Sequence, residues 1–236
     1  MGLLDLFNKK TSLEASGLLN LKTDRHSHIL PGVDDGFRVL DDSLKALEYL
    51  EKQGITTVWC TPHIMEEMPN TTEDLRSRFS ELCEAYKGNL ELHLGAEYMM
   101  DMLFEDRLST DDLIVGEDGF LLMETYTDNH STNIFDVFKR VMAKGYKPLF
   151  AHPERYRYLN QEDYRILHDM GVCFQLNIPS AIGYYGEDAF RKAFMILQKG
   201  WYSCMGFDAH RLGALKEQCE GQHLKKEIVP YLKFFG

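Results

Sequence analysis

From residue 21 onward, short apolar runs of strand length alternate with longer stretches whose apolar residues recur every three or four positions. Thr23–Ile29, Thr56–Cys60, Leu90–Ala96, Gly119–Met123, Lys147–Ala151, Val172–Leu176 and Trp201–Gly206 read as seven strands. Between them, Leu44, Leu47 and Leu50 share a helical face that Asp41 or Asp42 can cap and Gly54 can close. Leu75, Phe79, Leu82 and Tyr86 mark a second helix. Ile134, Phe138, Val141 and Met142 mark a third, ended by Gly145. Further helices fall near 161–170 and 187–199, and the tail from about Leu215 reads as an outer helix. Repeated strand–helix units predict an α/β fold with a parallel sheet inside and helices outside. Seven of them predict a closed or nearly closed (β/α)7 barrel, a distorted relative of the eightfold TIM barrel.

The 236 residues suit one such domain, over residues 21–236, behind an N-terminal extension at 1–20. The extension begins with a short amphipathic piece. Its Leu3, Leu4, Leu6 and Phe7 either fray in solvent or make a weak contact with a membrane or partner. Residues 11–20 read as a loose lead-in. A formal charge of −11 disfavours nucleic acid and anionic membranes over most of the surface. There is no apolar run long enough to span a bilayer and no secretory signal pattern. Five scattered cysteines read as reduced core thiols, which points to the cytoplasm.

The chemistry gathers at the strand ends. His26 and His28 lie one residue apart at the first strand's end, and Pro31-Gly32 turns the chain to bring Asp34-Asp35-Gly36 back. His63, Glu97, Glu124, His152, Asp208 and His210 close later strands. Each alone is more often a satisfied polar group than a ligand. Their recurrence at the strand ends where parallel barrels carry their active sites argues for a multinuclear metal centre. Five histidines with Asp35, Glu97, Glu124 and Asp208 suit two or three ions of zinc, manganese or iron. Three divalent ions against those four carboxylates leave about two positive charges, which favours a phosphate dianion. Arg155, just after His152, can grip phosphate oxygens or form an ordinary salt bridge. Tyr184 and Tyr185, in a loop between Gly183 and Gly186, can hold an aromatic ring or cover the rim.

These motifs resemble the polymerase and histidinol phosphatase (PHP) superfamily. They are His26-Ser-His-Ile-Leu-Pro-Gly-Val-Asp-Asp-Gly36, Thr61-Pro-His63, Gly95-Ala-Glu97, Glu124, Ala151-His-Pro-Glu-Arg-Tyr156 and Asp208-Ala-His210. The most similar branch is the capsule-type bacterial protein-tyrosine phosphatases, over about residues 22–212. The resemblance implies a distorted PHP-type barrel and a trinuclear, often manganese, site. Its ligands would be His26, His28, Asp35, His63, Glu97, Glu124, His152, Asp208 and His210. It also implies a phosphate-contacting role for Arg155 and, as substrate, the tyrosine-rich tail of a bacterial kinase governing capsule or exopolysaccharide export. A second substrate arginine usually follows the last motif by several residues, whereas here Arg211 comes directly after His210. Arg25 stands where the family usually has an apolar residue, and Phe207 replaces a smaller one.

The implied reaction is phosphomonoester hydrolysis without a covalent intermediate, with metals activating water and orienting the ester. A cysteine phosphatase of the common type needs an arginine six residues after its nucleophile. Six residues beyond the five cysteines stand Glu66, Asn89, Pro179, His210 and Lys225. Another PHP hydrolase, acting on histidinol phosphate or a nucleotide, is the nearest alternative, and a non-catalytic, metal-stabilised docking module is a more distant one.

Overall fold

Alternating strands and helices run the length of the computed structural model, which describes residues 10–17, 22–128, 133–221 and 223–232. The amphipathic start of the chain lies outside the described residues. Strand β1 (Lys10–Thr11) and the single-turn α1 (Leu13–Ser16) come first, followed by β2 (Thr23–Ser27) and α2 (Leu40–Lys52). Strands β3 (Thr57–Cys60) and β4 (His63–Ile64) are separated by Thr61-Pro62, and α3 (Thr72–Ala85) follows. Strands β5 (Glu91–Leu94) and β6 (Glu97–Met99) are separated by Gly95-Ala96, and α4 (Met102–Thr110) follows. The regular half comes next: β7 (Phe120–Glu124), α5 (Ile134–Ala143), β8 (Lys147–Ala151), α6 (Gln161–Asp169) and β9 (Cys173–Asn177). Short α7 (Ile178–Ala181) leads to α8 (Glu187–Lys199), β10 (Tyr202–Gly206), α9 (Leu212–Glu220), β11 (Leu224–Lys225) and α10 (Val229–Leu232).

The strands pair in parallel as a six-stranded sheet, in the order β10-β9-β8-β7-β6-β4, and a three-stranded sheet, β2-β3-β5. The predicted strands Thr56–Cys60 and Leu90–Ala96 supply β3 and β5 to the smaller sheet, and the short strands just beyond them, β4 and β6, join the larger one. Pro62 lacks the N–H a ladder needs, and Gly95-Ala96 bends the next strand at the same height. The sheets meet again through a parallel bridge between Ser27 and Ala209. There Asp208 N donates to His26 O at 2.8 Å and His28 N to Ala209 O at 3.0 Å.

Strand alternation sorts the core into two layers. On β8, Phe150 faces outward into the large cluster that holds Leu47, Phe138, Val141, Phe174 and Ile196. Leu149 and Ala151 face the other way and pack with Leu122, Phe120, Cys173 and Cys204. The same alternation along β9 turns Phe174 and Leu176 outward and Gln175 and Asn177 inward.

Four expectations are corrected. Val39, not Asp41 or Asp42, is the N-cap of α2, and the two aspartates lie in the first turn, where they complement the helix dipole. Helix α4 was not expected: its buried face is only Phe104, Arg107 and Leu108, too few apolar positions to register as a period. The lead-in is not wholly loose, because Leu13 is fully buried and Lys10–Thr11 pairs antiparallel with Leu224–Lys225. The tail is not one helix, since α9 stops before Gly221 and the chain turns into β11.

Candidate metal centre

Strand β2 sets the floor of the site. Its register against β3 shifts between Asp24 and Ser27, so Arg25 and His26 together oppose Trp59. The bulge lets two neighbours serve the interior. His26 points into the site, while Arg25 lies below it, its guanidinium 3.5 Å from the Trp59 ring centroid and 2.5 Å from Asp118 Oδ2. This explains the unusual arginine, whose charge is paired and stacked rather than left free in the core.

Two glycines allow the close approach of the flanking segments. A Cβ on Gly206 would lie 2.6 Å from His26 Cβ, so β10 can pass only without one. A Cβ on Gly36 would lie 2.3 Å from His28 O, at the point where the loop folds back and returns Asp34 and Asp35.

The structure brings together all nine residues singled out at the strand ends. Their ligating atoms form four overlapping groups: His28, Asp35, His63, His210; His26, His28, Asp208; His26, Glu97, His152; and His63, Glu97, Glu124. Among the described residues no other His, Cys, Asp or Glu joins such a group. Glu97 sits at the centre. Its Oε2 is 3.0 Å from His26 Nε2 and 3.2 Å from both His28 Nε2 and His63 Nδ1, and its Oε1 is 3.0 Å from His152 Nε2. Asp208 divides its oxygens. Oδ1 faces His28 Nε2 at 3.3 Å, and Oδ2 accepts from Arg155 Nη1 and Asn177 Nδ2, each at 2.9 Å. His26, His28 and Glu97 are fully buried, whereas Asp35, His63 and His210 lie nearer the mouth. His152 and Asp208 hold positive φ angles of 33° and 51°, backbone strain of the kind found at functional sites.

The donor set fits cations. Gln175 Nε2 donates to Leu176 O, which turns its Oε1 to His26 Nδ1 at 3.0 Å. Asp34 Oδ2 accepts from His28 Nδ1 at 2.7 Å, and Asp208 O accepts from His210 Nδ1 at 2.8 Å. Each neutral ring therefore directs an Nε2 lone pair inward. The Nε2 atoms of His26 and His28 stand 3.2 Å apart beside Glu97, an arrangement of facing lone pairs and carboxylate that repels itself unless a cation or protons intervene.

Protonation of the bare cluster shows the same need. Burial alone would lower the His26 pKa, but the Glu97 and Asp208 carboxylates more than reverse it, to about 9. Burial likewise opposes charge on His28, yet Asp34, Asp208 and Glu97 hold its pKa well above the ordinary value. Glu97, despite full burial, lies well below the carboxylate range because His26 and His63 face it. A histidine pKa raised from 6.5 to about 9 on folding contributes stability below pH 6.5 that is lost as pH approaches 9. Metal ions need those imidazoles neutral and displace the protons. The melting temperature of chelator-stripped protein is expected to fall between pH 6.5 and 9, and its deficit relative to manganese-saturated protein to widen. Differential scanning fluorimetry across that window checks this, and a constant deficit would contradict it.

Arg155 ends a 3-10 turn, Pro153–Arg155, with Tyr185 stacked 4.4 Å from its guanidinium carbon. Tyr184 stands edge-on to Tyr185 at 5.2 Å and is largely exposed. Arg211 is exposed just before α9, and among the described residues it makes no ion pair with the cluster. Four residues outside the nine support them. Gln175 holds His26 and the His152 N–H, Asp34 holds His28, and Asn177 holds Asp208. Glu154 accepts from Asn177 N at 3.0 Å and Tyr202 OH at 2.8 Å. The signal for two of them was Gln175 and Asn177 recurring at period two inside an apolar strand. Gln175→Leu and Asp34→Ala are each expected to weaken metal affinity about 10–100-fold. Competition with a chromophoric chelator measures it, and wild-type affinity in both would remove the positioning role.

A parallel α/β fold that gathers five histidines and four carboxylates where its strands end or, at β4 and β6, begin defines a candidate metalloprotein. Residues 22–220 match the family described as capsular polysaccharide synthesis, CpsB/CapC, and the chain belongs to that family. It is 25% identical over 222 residues to the tyrosine-protein phosphatase YwqE of Bacillus subtilis, covering 90% of this chain and 85% of that one. It is 27% identical over 203 residues to the tyrosine-protein phosphatase CpsB of Streptococcus pneumoniae, covering 80% and 83%. Its fold is similar to one from the crystal structures of YwqE from Bacillus subtilis and CpsB from Streptococcus pneumoniae, described as metal-dependent tyrosine phosphatases. The TM-score is 0.72 at 24% identity, over 89% of this chain and 85% of that one. Among the described residues no helix is long and apolar enough to cross a membrane.

Proposed function

We propose that this chain is a metal-dependent protein-tyrosine phosphatase acting on a phosphotyrosine protein, namely a bacterial tyrosine kinase that governs capsule or exopolysaccharide synthesis. The observation that carries the reading is the nine-residue cluster with Arg155 at its edge, in a chain of the CpsB/CapC family. His26, His28, Asp35, His63, Glu97, Glu124, His152, Asp208 and His210 would hold two to three divalent ions, manganese first, with iron or zinc as alternatives. When bound, such ions supply a water of lowered pKa and charge to polarise the ester.

The remaining work falls to this chain's own groups. Gln175, Asp34 and the Asp208 carbonyl fix the imidazoles as inward acceptors. Arg155 commits one N–H to Asp208 and keeps the rest of its fork for phosphoryl oxygens. Tyr185, and Tyr184 behind it, offer faces to the phenol ring, and exposed Arg211, next to His210 in sequence, would supply a second contact. Tyrosinate, with a parent pKa of about 10, is a fair leaving group. A thiol nucleophile is disfavoured, because burial pushes the Cys60 and Cys219 thiols up and holds Cys204 at about 12.

The bridge between Ser27 and Ala209, with the paired halves of the second and third strands, supports a distorted seven-stranded TIM-like barrel of the PHP type. In this reading residues 21–236 form one phosphatase domain, fastened by β1 to an extension at 1–20, and act in the cytoplasm. The test compares kcat/KM for a phosphotyrosine peptide, histidinol phosphate and single-stranded DNA with manganese present. The peptide is expected to be the best substrate. Faster turnover of histidinol phosphate would move the chain to the other branch of the superfamily.

A further inference from the structure

We infer that the exposed apolar surface formed by Met102 and Tyr126, on the loops after β6 and β7, docks the substrate polypeptide and selects a lysine or arginine beside the phosphotyrosine. This rests on the phosphotyrosine reading and adds to it the character of the flanking chain. Seven large apolar side chains are exposed among the described residues. All but Ile166, within α6, lie between a strand's C-terminal end and the start of the next long helix, on the side of the fold that carries the cluster. Exposed apolar surface gathered round one site marks a place where another molecule packs. Met102, 66% exposed, and Tyr126, 44% exposed, are the part of it contributed by β6 and β7.

The sheet order ties this surface to the cluster. Strand β6 pairs with β4 on one side and β7 on the other, and His63 Nδ1 lies 3.2 Å from Glu97 and 3.1 Å from Glu124. Tyr126 comes two residues after Glu124, a span of at most about 7 Å. Met100 N donates to Glu124 O at 2.9 Å, which holds the segment leading to Met102 against the end of β7. Glu66 and Glu67, just after β4, are the tip of a tight turn in which Met65 and Met68 exchange backbone hydrogen bonds of 2.9 and 3.2 Å. Asp101 Oδ2 accepts from Glu66 N at 2.7 Å, and the Tyr126 hydroxyl donates to Glu67 Oε1 at 3.5 Å, so the three loops form one surface.

Charge complementarity chooses the occupant. Both Asp101 oxygens are taken by backbone N–H groups, those of Glu66 and Phe104. Among the described residues the exposed Glu66 carboxylate has no partner, and that of Glu67 has only the Tyr126 hydroxyl. Further along the same sheet, β8 and β9 lead to Arg155 and to Tyr184-Tyr185. With the phosphotyrosine held there, the flanking chain crosses toward Tyr126 and the two glutamates. A lysine or arginine fits them, its apolar stem on Met102 and Tyr126 and its cation at Glu67 or over the Tyr126 ring. An acidic neighbour would meet like charge, and the formal charge of −11 acts in the same direction.

The test measures kcat/KM of the manganese-loaded protein on heptapeptides with a central phosphotyrosine and otherwise uncharged residues. One lysine, glutamine or glutamate is placed in turn at each of the two positions on either side. In wild type, lysine is expected to exceed glutamine about threefold to tenfold at one or more positions, through KM, with glutamate below both. The preference should shrink as salt rises from about 0.05 M to about 0.5 M, because these charges are exposed. It should vanish when Glu66→Gln and Glu67→Gln are combined, and turn toward glutamate when Glu66→Lys and Glu67→Lys are combined. Met102→Ala combined with Tyr126→Ala should lower kcat/KM on the lysine peptides relative to p-nitrophenyl phosphate. Equal rates for lysine and glutamine at all four positions overturn the docking surface and leave the phosphatase reading intact. So does a lysine preference that survives charge reversal, or an unchanged ratio in the Met102 and Tyr126 double variant. No wild-type turnover of any phosphotyrosine peptide overturns both.

Discussion

Asp208→Ala is expected to reduce kcat/KM on every phosphomonoester by about 10³-fold or more while leaving the protein folded. No other carboxylate in the cluster has both roles that Asp208 has. Its Oδ1 faces His28 at 3.3 Å, and its Oδ2 anchors Arg155 and Asn177. Removing it takes a negative charge from among buried imidazoles and frees the arginine from its place. His26→Ala should be comparable, since His26 meets Glu97 at the buried floor. Circular dichroism establishes the fold, and steady-state kinetics on p-nitrophenyl phosphate gives the loss. A folded Asp208→Ala or His26→Ala protein with most of its activity would contradict a ligand role.

Arg155→Ala is expected to slow every phosphomonoester about 10²–10³-fold, the scale for removing one charged group at the developing phosphoryl charge. Arg155→Lys should recover only part of this, because an ammonium keeps the charge and loses the planar fork. Tyr185→Ala and Tyr184→Ala should behave differently. Stacking on a phenol ring is worth about 0.5–1.5 kcal/mol beyond burial, so these variants should weaken phosphotyrosine peptides more than small alkyl phosphates. Tyr185 complicates the pattern, since its ring also covers Arg155 at 4.4 Å, and its variant should lose some activity on both substrate types. Equal losses on both types for Tyr184→Ala would remove its ring-binding role. No loss in Arg155→Ala would remove the phosphate role.

Much of the site was legible because its residues obey local rules. His26 and His28 are on one strand and its extension, the Pro31-Gly32 turn folds the aspartates back, and the later members fall where the chain leaves a predicted strand, although His63 and Glu97 open the short β4 and β6. What escaped was what depends on tertiary contact. The bulge that turns both Arg25 and His26 inward is a register shift against β3, and nothing in Thr23–Ser27 alone announces it. The breaks at Pro62 and Gly95 were visible as residues. Their common height, which divides two strands between two sheets, was not. Helix α4 buries Arg107, whose side chain reaches the Asn70 carbonyl and Asp112, so its inward face does not read as apolar. The turn returns Asp34 and Asp35 together, and only Asp35 was expected to act in the site. The structure separates them: the Asp34 side chain is buried against His28 and Gly36, while Asp35 is exposed at the mouth beside His63 and His210, with its pKa drawn down to about 2 chiefly by His210.

The central claim is that the nine-residue cluster works by holding metal ions that hydrolyse phosphotyrosine. The most direct measurement is turnover of a phosphorylated kinase tail from the same genome, on protein stripped by chelator and then titrated with manganese while bound metal is counted by elemental analysis. The account predicts negligible activity in the stripped protein and activity that rises with manganese and levels off at two to three ions per chain. Full activity in protein shown to carry no metal, or saturation with metal and no hydrolysis of phosphotyrosine, would contradict it.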